Sequence, residues 1–227
     1  MLTASEISDR LEQVQHRIAD AARRAGRSVE SVRLVLASKT QPPAAVAAAY
    51  AAGARNFGEN YVQEAVTKRA ALVGRDIRWH LIGHLQTNKA RIAVETFDLV
   101  QTLDNQRLAA ALSHLHPSPP MPVLVEINLA GEASKSGIAP EGAEALINSV
   151  RDQVDVQGLM AIPPVTPAPE AARPFFRELR ELRDRLAAAT GLALSELSMG
   201  MTDDFEVAIL EGATIVRVGR AVFGERQ

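Results

Sequence analysis

Eight short apolar runs, each but the last followed by a helical pattern, constrain this chain more than any other feature of its sequence. The runs cover residues 32–38, 54–58, 77–83, 99–103, 122–128, 156–161, 194–199 and 214–218. Helical patterns fill the gaps at 43–52, 60–72, 86–95, 106–115, 141–153, 173–190 and 203–211. Strand–helix alternation of this kind forms a parallel sheet with helices packed on it, and a count of eight predicts a closed (β/α)8 TIM-type barrel. An open doubly wound sheet alternates in the same way and is the other architecture the pattern allows. Ahead of the first strand, Ile7, Leu11, Val14 and Ile18 recur at helical spacing and Gly26 marks a stop. This extra N-terminal helix is expected to stand in for the one missing after the eighth strand. A length of 227 residues suits one domain spanning 1–227.

Composition narrows the class. The formal charge of −2 exerts no general pull on nucleic acid or an anionic membrane. No apolar run approaches the roughly 18 residues needed to span a bilayer, and residues 1–27 carry charges where a signal core would lie. The absence of cysteine removes disulfides and thiolate metal sites and fits a reducing compartment. A cytoplasmic protein is the expectation.

Barrels of this kind gather their chemistry at the C-terminal ends of the strands. In VRLVLASKTQPP, side-chain alternation puts Val35, Ala37 and Lys39 on one face, with Leu34 and Leu36 on the helix-facing side. Lys39 then tops the barrel above a small alanine. A lysine held in such a dry place loses hydration and becomes a nucleophilic amine suited to a Schiff base; a lysine snorkelling to solvent is the plainer reading. The last unit, SMGMTDDFEVAILEGATIVRVGRAVFG, carries glycine-bearing strand ends at 198–202 and 218–220. Gly200 and Gly219 allow close backbone approach to an oxyanion, and Thr202 is expected to offer a hydroxyl while capping the next helix. Asp203 and Asp204 are expected to point away, with Arg220 offsetting their charge. Parity in TIVRVGR turns Arg217 inward, where it needs an acceptor: a carboxylate, a carbonyl or a heteroaromatic nitrogen.

Two further features are weaker. His80 and His84 lie about 13 Å apart on an extended strand, at roughly 3.3 Å per residue, too far to share a metal ion. His84 falls in the loop after the third strand, where lining a pocket mouth and a purely structural role are the two readings. On the helix at 173–190, Glu181 with Arg185 and Arg180 with Asp184 are expected as i,i+4 pairs on a solvated face.

The segments LVLASKTQP, NFGENYVQEA, WHLIGHLQTNK, EINLAGEASKSG, GLMAIPP, LSMGMTDDFEVAI and GATIVRVGRAVFG resemble, in order, the pyridoxal phosphate homeostasis proteins, single-domain relatives of the alanine racemase barrel. The resemblance runs from Leu34 to Gly224. It implies pyridoxal 5′-phosphate (PLP) held as an aldimine on Lys39, and phosphate contacts at Ser198, Thr202, Gly219 and Arg220. It further implies Arg217 facing the pyridine nitrogen and Asn60 against the ring. Lys135 matches a loop lysine with a conceivable role in cofactor transfer; on residues alone it is a solvated lysine. Racemases similar to this fold use a second base, a tyrosine from a separate domain. Tyr50 and Tyr61 are not placed for that role, and the chain is expected to lack the domain. The expected function is a monomeric, non-catalytic carrier of PLP that buffers it or delivers it to apo-enzymes. A PLP-dependent racemase-like enzyme and a cofactor-free lysine aldolase are the rivals.

Overall fold

The structure, a computed structural model, describes residues 2–116, 118–132 and 136–225. Eight parallel strands close into a barrel in sequence order: β1 (Arg33–Ala37), β2 (Asn56–Glu59), β3 (Arg78–Leu81), β4 (Leu99–Leu103), β5 (Pro122–Ile127), β6 (Asp155–Ala161), β7 (Glu196–Ser198) and β8 (Ile215–Val218). β8 returns to β1 with Val35 opposite Arg217, which seals the ring and decides against the open sheet. The outer helices are α1 (Ala4–Arg24), α2 (Pro43–Ala51), α3 (Val62–Ala71), α4 (Ala90–Thr96), α5 (Gln106–Leu115), α6 (Ala143–Val150), α7 (Arg173–Thr190), α8 (Phe205–Leu210) and α9 (Arg220–Phe223). No described helix is long and apolar enough to cross a membrane.

Strand alternation sorts the core into two bodies. Val35, Leu99, Leu124, Met160 and Ile215 fill the barrel interior. Leu36, Val125, Val216 and Val218, on the opposite faces, join the larger cluster beneath the helices. The inward positions above the apolar layer are Gln101, Glu126, Ser198 and Arg217, all buried. The barrel is therefore packed with hydrocarbon low down and with polar groups towards its C-terminal end.

α1 begins with a capping box: the Thr3 hydroxyl accepts from the Glu6 N–H at 3.2 Å, and the Glu6 carboxylate accepts from the Thr3 N–H at 2.7 Å. It buries Ile7, Leu11, Val14 and Ile18 and packs against α2, α8 and α9. The short α9 is a correction to the sequence reading, which left β8 without a helix. α1 therefore supplements α9 and does not replace it. A second correction concerns α7, where neither expected i,i+4 pair is among the ion pairs of the described residues. Arg173, Arg177 and Arg180 instead reach Glu211 at 2.7, 3.4 and 2.8 Å, and Asp184 pairs with Arg183. Glu211 is buried between α7 and α8. Burial opposes its ionisation, and the three guanidinium groups more than offset that, so its carboxyl sits below the usual range.

Candidate functional site

β1 ends in a tight turn that presents Lys39. The Gln41 N–H donates to the Ser38 carbonyl at 3.0 Å, which closes a four-residue turn with Lys39 and Thr40 at its centre. Thr40 has φ +65°, a left-handed conformation that a β-branched residue adopts only under constraint. The constraint is visible: the Thr40 N–H donates to Glu64 Oε2 at 2.9 Å. Beneath the turn, the Ser38 hydroxyl donates to Glu59 Oε1 at 2.6 Å. Lys68 Nζ donates to the same oxygen at 2.6 Å and to the Ser38 carbonyl at 2.7 Å. Burial pushes the Glu59 carboxyl up, against the pull of Lys68 and Ser38. The sequence reading missed this base; the i,i+4 spacing of Glu64 and Lys68 was the available signal.

Lys39 is half-buried on the wall of a cavity of about 190 Å3 at the C-terminal end of the barrel. Asn60, Thr202, Arg217, Gly219 and Arg220 line the same cavity. Six of the seven residues singled out from the sequence thus meet at one place. Ser198 does not line it. Its side chain is wholly buried inside the barrel, where the hydroxyl accepts from Arg217 at 2.6 Å and donates to Gln101 at 2.6 Å. Thr202 lines the cavity and caps nothing. The N-cap of α8 is Asp204, whose Oδ1 accepts from the Met201 N–H at 2.6 Å and so ties the loop to itself. Asp203 does not point away: it lines the cavity and is ion-paired with Arg220, which cancels its charge as expected of Arg220.

Two glycines shape the walls. A Cβ on Gly83 would come within 2.4 Å of the Asn60 carbonyl oxygen, so only glycine lets the chain at Asn60 pass. A Cβ on Gly219 would stand 3.0 Å from the Ala37 carbonyl.

Arg217 is the end of a one-way hydrogen-bond file. Its guanidinium donates to Ser198 and, at 2.9 Å, to the Ala161 carbonyl. Since Ser198 donates to Gln101 Oε1, the Gln101 amide nitrogen faces His80 Nδ1, 3.0 Å away, and an amide nitrogen only donates. His80 is therefore neutral, with its proton on Nε2 directed at Asn56 Oδ1, 3.3 Å away. Burial, with Arg33 and Arg78 nearby, holds the His80 pKa down at about 3. His80 and Asn56 line a separate cavity of about 490 Å3 at the N-terminal end of the strands. Burial also lowers the Arg217 pKa to about 10, with Glu126 and Asp204 pulling it back up. It stays charged at neutral pH.

A second chamber of about 230 Å3 shares Asn60, Ile82 and Ile162 with the Lys39 cavity and is also lined by His84, Glu126 and Asn128. His84 thus lines a pocket, the first of its two readings, with Asp104 Oδ2 at 3.6 Å from its Nδ1. Neither tyrosine lines either cavity. Tyr61 is exposed, and Tyr50 stacks under Arg55 and accepts from the Asp76 N–H. Lys135 lies outside the described residues. No cluster of three metal-ligating side chains occurs among the described residues.

A cavity lined by a lysine after the first strand and a buried arginine on the eighth, at the C-terminal end of the strands, places the chain among (β/α)8 barrels with a candidate small-molecule site at that end. The alanine racemase N-terminal domain family matches this chain over residues 10–227. The pyridoxal phosphate homeostasis protein of Pseudomonas aeruginosa is 46% identical over 98% of this chain and 96% of its own. Its counterpart in Aquifex aeolicus is 45% identical, over 96% and 98%. The structure of PipY from Synechococcus elongatus with PLP bound superposes with a TM-score of 0.83 at 37% identity, covering 96% of this chain and all of that one. The chain belongs to the pyridoxal phosphate homeostasis protein family.

Proposed function

We propose that this chain is a single, monomeric cofactor-binding domain that holds pyridoxal 5′-phosphate through an imine to Lys39. In the cytoplasm it buffers the cofactor or delivers it to apo-enzymes, and it is not an efficient catalyst. One observation carries the reading: Lys39, Asn60, Thr202, Arg217, Gly219 and Arg220 surround a single cavity. PLP-binding PipY, with the same fold at 37% identity, supports it.

The residues present fit the group. A primary amine for an aldehyde, a fixed guanidinium for a ring nitrogen, and a hydroxyl, a bare glycine backbone and a second arginine, which would exchange its partner Asp203 for a phosphate, all face one space. Ser198 is assigned elsewhere, because its hydroxyl is already engaged on both sides; it holds Arg217. When bound, the cofactor supplies a reactive aldehyde and an electron sink. Arg217 weakens the sink, because a guanidinium that stays charged disfavours protonation of a nitrogen placed before it. The tyrosine base used by racemases similar to this fold has no equivalent among the residues lining either cavity.

The test is the absorbance of the purified protein, followed by borohydride reduction and peptide mapping. A visible band that reduction fixes on the peptide containing Lys39, and that Lys39→Ala removes, is the expected result. A band that survives Lys39→Ala sinks the reading. Exchange of the α-hydrogen of added amino acids at about 1 s−1 or faster would sink its non-catalytic half.

A further inference from the structure

Among the described residues, two carboxyls at this end of the barrel, Glu59 and Glu126, each bury an oxygen without a hydrogen-bond partner; Glu59 is held through its other oxygen by Ser38 and Lys68, whereas Glu126 lines a cavity. It points inward from β5, two residues beyond Leu124 of the interior cluster, and is 8% exposed. Its Oε2 is buried and has no hydrogen-bond partner. A buried carboxyl without a partner is destabilising, more so when ionised, and is tolerated where something else completes it. Glu126 lines the second chamber, whose polar wall is Asn60, His84, Asn128 and Ser136 over a floor of Ile82, Ile127 and Ile162.

We propose that this chamber is a binding subsite for the ammonium group of a small primary amine, received by Glu126 beside the cavity that Lys39 enters. Only what occupies the neighbouring cavity is taken from the proposed function; the subsite stands on Glu126 and its chamber. An ammonium brings three donors and a positive charge, and an orphaned carboxylate with side-chain amides nearby supplies acceptors and the opposite charge. An aliphatic stem suits the isoleucine floor. Because the chambers share Asn60, Ile82 and Ile162, the amine would sit next to whatever Lys39 holds.

The surroundings make the subsite depend on pH. Burial and the Asp104 carboxylate at the end of β4 raise the Glu126 pKa to about 7, while Arg217 on β8 pulls it down. His84, after β3, faces Asp104, and Lys39, after β1, borders the adjoining cavity. The neighbouring strand β6 offers Met160 and Ala161, which do not titrate. Between pH 6 and pH 8 the carboxyl goes from about one tenth to about nine tenths ionised, whereas an alkylammonium with a pKa of about 10 keeps its proton.

The experiment titrates the cofactor-free full chain with ethylammonium at constant ionic strength, following isoleucine methyl resonances by NMR. Saturable shifts at Ile82 and Ile162 are expected, with affinity about tenfold tighter at pH 8 than at pH 6. Glu126→Gln should lose that pH dependence and bind at least about tenfold more weakly at pH 8. Binding that ignores pH in the wild type, undiminished binding by Glu126→Gln, or equal binding of tetramethylammonium, which has the charge but no N–H, would overturn the proposal. A preparation that takes up PLP on Lys39 but ignores the amine overturns the subsite alone. One that binds the amine and takes up no PLP leaves the subsite standing and overturns the cofactor reading.

Discussion

The Arg217 guanidinium and the Ser198 hydroxyl meet at 2.6 Å inside the barrel, and this bond sets the direction of every hydrogen bond behind it. Arg217 can only donate, so Ser198 must spend its proton on Gln101. Gln101 then presents its NH2 to His80. Ser198→Ala would leave both an Arg217 N–H and Gln101 Oε1 without partners in a dry place. The expected loss is about 3 kcal/mol of stability in urea denaturation. PLP uptake should weaken by about tenfold or more as Arg217 loses its fixed orientation. Unchanged affinity would show that Arg217 is held by the Ala161 carbonyl alone.

Two buried groups impose opposite pH dependences. The His80 pKa is depressed to about 3 from 6.5, so the unfolded chain takes up the proton first and stability is lost as pH falls below 6.5. The Glu126 pKa is raised to about 7 from 4.5, so the folded chain holds its proton longer. Stability from that source is full below 4.5 and is lost as pH rises to 7. Between pH 4.5 and 6.5 the two slopes cancel. Glu126→Gln removes one of them, so this variant should gain stability relative to the wild type with rising pH by about 1.4 kcal/mol per unit across that window. Urea midpoints at pH 4.5, 5.5 and 6.5 read this directly. Parallel curves for the two proteins would put Glu126 at an ordinary pKa.

Strand periodicity made the barrel legible, because a side-chain period of two is a local property that each run displays by itself. The same parity turned Arg217 inward and put Lys39 above Ala37. What stayed hidden depends on partners distant in the chain. The phosphate contact at Ser198 comes from the family resemblance alone; in the structure its hydroxyl is engaged by Arg217 and by Gln101, 97 residues away on β4. The orphaned Glu126 carries no sequence mark, since an unmet hydrogen bond is a property of the assembled interior. Residue type alone marks Thr202 as a cap, whereas the loop closes two residues later on Asp204. The arginines of α7 were paired within their own helix because Glu211, their real partner, sits on the far side of β7 in sequence.

Gly83 offers a test of how closely the site depends on its backbone. Its added Cβ would lie 2.4 Å from the Asn60 carbonyl oxygen and 2.7 Å from the Asn60 Cα, and backbone cannot swing aside as a side chain can. Gly83→Ala should therefore displace Asn60 from the partition between the two chambers. Overpacking of this kind costs about 2 kcal/mol, and PLP affinity should fall further than stability alone accounts for. Equilibrium dialysis at a temperature where the variant remains folded separates the two effects. Wild-type affinity in a folded variant would show that Asn60 does not contact the cofactor.

Thr40 holds Lys39 in place at a cost that can be measured. A β-branched residue at φ +65° is disfavoured by roughly 1–2 kcal/mol, whereas glycine adopts that conformation freely but gives up roughly 0.5–1 kcal/mol through its looser unfolded chain. Thr40→Gly is therefore expected to be more stable than the wild type by about 0.5–1 kcal/mol. The same change frees the turn to sample other shapes, so the Lys39 amine spends less time over the cavity and the imine should form more slowly with added PLP. Stopped-flow absorbance gives the rate and urea denaturation the stability. The Glu64→Gln variant keeps an acceptor for the Thr40 N–H and should form the imine at close to the wild-type rate. A Thr40→Gly protein that is both less stable and equally fast would mean that the turn stores no strain and that Lys39 is positioned from elsewhere.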